Sequence, residues 1–209
     1  MAANEISTGI GLRHVWVVAR SDGGGYAGTP IRIQGALSLN ATLPEPRRVN
    51  ARGDDITYYT FSLAPEENPT GELRVTKGDL DVLALVSGVT AGGTPPDHRI
   101  ALATNLQGEE PAVILWASRK AVDTEEGAAD FGDQIWQCYV LPNAILVARP
   151  ATMEDAAVGE WIYSVVANPS ATDEDGVEFA PLGVPGAEGI KTACMLMYVT
   201  DAEYDPTAV

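Results

Sequence analysis

Apolar and polar residues alternate without a break from residue 31 to residue 43, in the run IRIQGALSLNATL. Ile31, Ile33, Gly35, Leu37, Leu39, Ala41 and Leu43 take the odd positions; Arg32, Gln34, Ala36, Ser38, Asn40 and Thr42 take the even ones. A period of two predicts an extended strand with one dry and one wet face. ITYYTFSL (56–63) repeats the pattern, with Tyr59, Phe61 and Leu63 alternating with Thr60 and Ser62. Between the two lies PEPRRVNARGDD (44–55), a charged link, so the runs predict a long hairpin whose loop is 44–55. At ~3.3 Å per residue the first arm reaches roughly 40 Å, about twice an ordinary strand. An arm of that length overshoots the body of a small domain, and the expected cover is another copy of the same chain.

Elsewhere the pattern predicts mostly strands. They are RHVWVVAR (13–20), ELRVTK (72–77) with Leu73 and Val75 inward, RIALAT (99–104), AVILWASRK (112–120), QIWQCYVL (134–141), AILVAR (144–149), EWIYSVVAN (160–168) and GIKTACMLMYV (189–199). The nearly continuous apolar stretch of 112–120 suits a strand covered on both faces. Pro142-Asn143 is turn chemistry and separates 134–141 from 144–149. GDLDVLALVSG (78–88) predicts a short helix, with Asp79 as its cap and Gly88 as its end. Thr152 to Asp155 predicts a single helical turn. About nine strands and one or two short helices make a mainly β chain, a single β-sandwich or barrel domain with a long projecting hairpin. The expected organisation is an N-terminal arm over 1–12, the β domain over 13–199 and a polar C-terminal tail over 200–209.

Composition narrows the class. A chain of 209 residues with 45% hydrophobic content and mean hydropathy near zero suits one soluble domain with a core of its own. No apolar run approaches the ~20 residues of a membrane span. MAANEISTGIGLRH carries no basic stretch followed by an apolar block, so no secretory signal is expected. The only cysteines, Cys138 and Cys194, then read as reduced thiols, with a disulfide as the alternative. Residues 1–100 hold 9 basic and 11 acidic side chains, and 101–209 hold 4 and 18, so the halves carry −2 and −14 of the net −16. Such a chain does not bind nucleic acid by neutralising phosphates. It suits ordinary acidic solubility, or a role in which DNA passes without sticking.

Catalytic chemistry finds no support in the motifs. Gly23-Gly24-Gly25 lacks the Gly-Lys-Ser/Thr of a phosphate loop. His14 lies in a strand run, His98 follows Pro-Pro-Asp, and no serine sits in a nucleophile elbow. Asp173 to Gly176 fits only part of a calcium loop, because the first and twelfth ligand positions fall on Ala171 and Leu182. Arg52-Gly53-Asp54 spells an adhesion tripeptide, and a turn is the plainer reading in a chain without a secretion signal. Trp16, Trp116, Trp136 and Trp161 all lie in strand runs, as core or interface anchors. No catalytic residue, metal ligand or cofactor is therefore expected. What remains is the link, where Arg47, Arg48 and Arg52 accompany Asp54 and Asp55. Arginine's planar fork suits docking on carboxylates of a neighbouring subunit.

The GALSLNATLPEPRR hairpin (35–48), the Asp-Leu segment ending at Gly88 and the order AVILWASRK…GDQIWQCYVLPNAILV…WIYSVVANPS resemble the major tail (tail tube) proteins of long-tailed bacteriophages. The likeness is one of strand order and spacing over most of the chain, with no sharp motif. It implies a β-sandwich subunit flanked by a helix. Such subunits form hexameric rings that stack into a hollow tube, the conduit for DNA ejection, with a long hairpin loop reaching the adjacent ring. Inner strands of all subunits join into one barrel around a lumen that is commonly acidic. On that resemblance Arg47, Arg48, Arg52, Asp54 and Asp55 form an inter-ring interface, and Gln34, Ser38, Asn40 and Thr42 face the lumen. The implied partners are further copies of the chain, the tape-measure and other tail proteins, and DNA passing without specific binding. The implied location is the virion tail, after assembly in the host cytoplasm, with no membrane involved. Two alternatives stand beside it: a non-enzymatic β-sandwich binding module, and another virion protein such as a decoration or tail-terminator subunit.

Overall fold

The computed structural model describes residues 10–22, 26–42, 47–53, 56–63, 68–89, 92–93, 111–122, 134–149, 160–171 and 192–200. Valine, isoleucine and aromatic residues favour extended chain because branched and flat side chains pack well on a pleated surface. They build β1 (Ile10–Ala19), β2 (Ile31–Ile33), β3 (Ala36–Thr42), β4 (Arg47–Gly53), β5 (Ile56–Leu63), β6 (Thr70–Val75), β7 (Val113–Val122), β8 (Gln134–Arg149), β9 (Trp161–Ala167), β10 (Ser170–Ala171), β11 (Thr192–Ala193) and β12 (Leu196–Thr200). One helix, α1 (Leu80–Ser87), is present among the described residues. The chain is mainly β, as its alternation predicts.

Eight strands form one antiparallel sheet in the order β2-β1-β7-β8-β9-β6-β3, with β12 also on β8. The long β8 serves two neighbours along one edge: residues 136–140 pair with β12 and residues 144–149 with β9. The sheet's two outermost members, β2 and β3, are consecutive pieces of one stretch of chain, parted only by Gln34 and Gly35. Val15, Ile33, Leu73, Leu115, Leu146 and Tyr163, from six different strands, meet in one buried cluster. A sheet whose strands all turn one face to a single core has curled into a barrel-like roll.

Helix α1 contributes Val82, Leu83 and Val86 to that core. It starts and stops where its sequence says. The Asp79 side chain accepts from Asp81 N at 2.9 Å, satisfying an N–H that the first turn leaves open. Gly88 takes the left-handed conformation at φ 65° and closes the helix, with Val89 N donating to Ala84 O.

Three expectations change. The first arm is not one strand. Gly35 sits at φ +72°, and a Cβ there would meet Thr76 Oγ1, so the chain bends and changes partners: β2 pairs with β1, β3 with β6. The link is not a loop. Residues 47–53 are strand β4, and its partner is β5, from Arg47↔Leu63 to Gly53↔Ile56, with a bulge between Ala51 and Arg52. Six charges in 44–55 hid the weaker alternation of Val49 and Ala51 with Arg48, Asn50 and Arg52. Pro142-Asn143 does not turn the chain either. Strand β8 runs through it, with the pairing on β7 slipping by one residue between Val113↔Ala144 and Leu115↔Leu141. A bulge accepts a proline, which has no N–H for the ladder. Asn143 is held by Asn168 N donating to its carbonyl and by its own Nδ2 donating to Pro169 O.

Boundaries shift too. Strand β1 takes residues 10–12 from the expected N-terminal arm, and β12 takes Thr200 from the expected tail. The last predicted strand is split into β11 and β12 by Cys194 and Met195. The strand expected at 99–104 and the helical turn at 152–155 lie outside the described residues.

Candidate functional site

Strands β3, β4, β5 and β6 are nested: β4 pairs with β5 inside the ladder of β3 on β6. The hairpin therefore exists, with different arms from those expected. Its connection narrows to residues 54–55, and its root is the β3–β6 pair in the main sheet. One arm spans two seven-residue strands, β3 and β4, and the other an eight- and a six-residue strand, β5 and β6. The β4–β5 ribbon is a two-stranded sheet of its own. Arg47, Arg48 and Arg52 lie along strand β4 of this ribbon, whereas Asp54 and Asp55 fall outside the described residues.

At the root of the hairpin the roll is incomplete. Strand β2 covers only Val15, Trp16 and Val17 of β1. Among the described strands, residues 10–14 of β1 have no hydrogen-bonded partner on that side, and β3 has none on the side away from β6, although the two strands lie close to one another. The split opens into a groove of about 480 Å³, lined by Leu12, Leu37, Leu39, Ala41, Tyr139 and Met195 among others. The dry face that alternation predicts for β3 is thus real as a pattern but only partly covered: Leu39 packs partly buried against the core, whereas Leu37 is 49% exposed. Strand β3 also bears no charge from Ala36 to Thr42, although charged residues are a common guard of sheet edges. At the inner end of the groove, Arg119 Nε donates to Gln137 Oε1 at 2.6 Å, and its guanidinium lies 5.9 Å from the Tyr139 ring centre.

The wet face of β3 continues into a wider surface. Antiparallel partners point the same way, so registers place residues in rows. Thr42, Thr70, Val166 and Ile145 form one row across β3, β6, β9 and β8; Asn40, Glu72, Ser164 and Val147 form the next; Ser38, Arg74, Ile162 and Arg149 form the third. Ser38, Asn40 and Thr42 thus share a face, as the period of two predicts. Gln34 does not join them, because it sits in the break before β3, where its Oε1 accepts from Lys77 Nζ at 3.0 Å. The charges of this face come from residues that sequence reasoning missed. Glu72 bridges Arg74 at 3.4 Å and Arg149 at 3.5 Å. The outward alternation of Glu72 and Arg74 beside Leu73 and Val75 was the available signal; Arg149 needs the register of β8. Among the described residues the rows hold one carboxylate and two guanidiniums, so this part of the surface is not acidic.

None of the four tryptophans is exposed: Trp116 and Trp136 are buried, and Trp16 and Trp161 are half-buried. Lys120 Nζ stands 5.3 Å from the Trp136 ring centre, and the His14 ring centre lies 5.8 Å from it at a tilt of 51°. Cys138 and Cys194 are not joined in a disulfide, and burial pushes the Cys194 thiol above its ordinary range. Burial, with the Asp79 carboxylate second, raises the Tyr163 phenol to about 12. No group of three or more metal-binding side chains occurs among the described residues, and no helix there is long and apolar enough to cross a membrane. No protein-family model matches the chain, and no curated protein matches it.

Proposed function

We propose that this chain is a structural virion protein, the subunit of a phage tail tube, which assembles into hexameric rings stacked as a conduit for DNA ejection into the host. The observation that carries the proposal is the β4–β5 ribbon, paired only with itself among the described strands. A lone two-stranded ribbon is marginal in water and needs a third strand or an apolar layer to be stable. A second copy of the chain supplies that layer. The uncharged, unpaired edge of β3 and the exposed Leu37 support the same reading, since neighbouring subunits cover such edges in an assembly. A ribbon seated on a different patch of the next subunit is a head-to-tail contact, which grows a filament rather than closing a dimer. The tape-measure and other tail proteins are the further partners in this reading, DNA passes through the lumen without specific binding, and no cofactor or catalytic step is involved.

Negative-stain electron microscopy of the purified protein tests the proposal. Rings or long tubes are the expected result. Particles that stay single and compact at high concentration overturn it, and closed rings or trimers that do not stack point to a decoration or terminator subunit. Replacing Arg47 and Arg48 by Glu is expected to leave the monomer folded and stop tube growth. Tubes of normal length from that variant remove the docking role of these arginines.

A further inference from the structure

The three charges on the β3–β6–β9–β8 face form one unit. Arg74 and Arg149 stand in the same row with Ile162 between them, two strand spacings or ~10 Å apart at the backbone. Both guanidiniums lean to Glu72 in the adjacent row, one on each carboxylate oxygen. The contacts, at 3.4 and 3.5 Å, are longer than the ~2.8 Å of a tight charge-assisted bond. The side chains are also open to solvent, at 59% for Arg149, 46% for Arg74 and 37% for Glu72. An ion pair this long and this exposed opens readily. Around it the surface offers Asn40, Thr42 and Thr70, groups that donate to phosphate oxygens without adding charge. The Ser164 hydroxyl is buried beside Glu72 with no hydrogen-bond partner.

We propose that this face is a nucleic-acid-facing surface on which Arg74 and Arg149 are the phosphate contacts and Glu72 is the built-in competitor that keeps those contacts brief. The inference deepens the conduit reading and names the residues that set how strongly the wall holds DNA. Two guanidiniums fit a phosphodiester backbone because their planar forks match its oxygens. With Glu72 ionised, each phosphate must displace a carboxylate already in place, and the unit carries a net charge of only +1. Repulsion by the rest of a chain of net charge −16 then returns the strand to solution. A wall built this way touches its cargo and lets it move, where a surface of bare arginines would grip it.

Fluorescence anisotropy with a labelled DNA oligonucleotide at low salt tests the proposal on the full chain. Glu72→Gln is expected to tighten binding about tenfold over wild type and to steepen the log–log salt dependence by about one to two, as each phosphate contact adds ~0.7–0.9. Restoring weak binding with Glu72→Gln/Arg74→Gln/Arg149→Gln assigns the gain to the two arginines. Glu72→Ala repeats the test with a different side chain, and far-ultraviolet circular dichroism checks that each variant is folded. Binding unchanged in both Glu72 variants, or a gain that survives loss of both arginines, overturns the inference. Electron microscopy of the same samples reads assembly separately: tubes without a Glu72 effect sink the competitor alone, and a Glu72 effect without tubes sinks the conduit reading alone.

Discussion

Strands β7 and β3 obey the same chemistry and end in opposite states. Every residue of β7 from Val113 to Ser118 is buried, whereas no residue of β3 is. Strand β7 lies in the middle of the sheet between β1 and β8, with its odd residues in the main core and Ile114 and Trp116 buried on the other face. Strand β3 lies at the rim, paired on one side only, with leucines facing an open groove. The wall around β7 is complete within one chain. The rim strand β3 has the pattern of a half-buried strand without a fully buried residue. That difference is the ground on which assembly is proposed.

The comparison can be broken most directly by cavity formation. Leu115→Ala removes a fully buried side chain from the main core and is expected to cost about 2–5 kcal/mol in urea denaturation. A loss well below that range would mean that the β7 wall is looser than its burial implies. The core near β9 has a second signature in alkali. Because the folded pKa of Tyr163 is raised to about 12 from 10.0, its contribution is fully present below pH 10 and is lost as pH rises through 12. Unfolding titrations at pH 9 and pH 12 should show a loss of about 2 kcal/mol in wild type that Tyr163→Phe does not share. Equal pH dependence of the two proteins would sink the assignment.

Smaller effects sharpen the contrast. Asp79→Ala leaves an N–H of α1 without its acceptor and should cost about 1 kcal/mol, read as a lower thermal midpoint. Leu37→Ala in dilute, unassembled protein should change stability by less than about 0.5 kcal/mol, as at an ordinary surface position. Should Leu37→Ala match Leu115→Ala instead, the dry face of β3 is covered within a single chain and the contrast disappears. Joining Thr42 to Asn68 by a tight turn removes the ribbon and should leave the β3–β6 ladder and the monomer's circular dichroism intact; unfolding of that variant would place the ribbon in the core.

Local chemistry was legible wherever one segment decides its own fate. Asp79 and Gly88 bound α1 because an acceptor side chain and a left-handed residue act on their immediate neighbours. The apolar run at β7 announced burial on both faces, and Leu73 and Val75 announced the inner side of β6. Where partners decide, reading along the chain went astray. Alternation told that 31–43 and 56–63 were extended, but it carries no information about which strand each one meets, and both met others than expected. The arginines singled out in the link turned out to line a strand, and Gln34 left the wet face at the bend.

The amino-acid order by itself determined a mainly β chain, a capped short helix, an acidic balance and a strand with one apolar face. These follow from residue spacing and from side chains acting within a few positions. Only the tertiary structure decided that β2 and β3 separate at Gly35, that the ribbon nests inside β3 and β6, and that Glu72, Arg74 and Arg149 share a surface. Such pairings join residues up to 77 positions apart, as Glu72 and Arg149 are, and depend on register, which hydrogen bonding across the whole sheet fixes together.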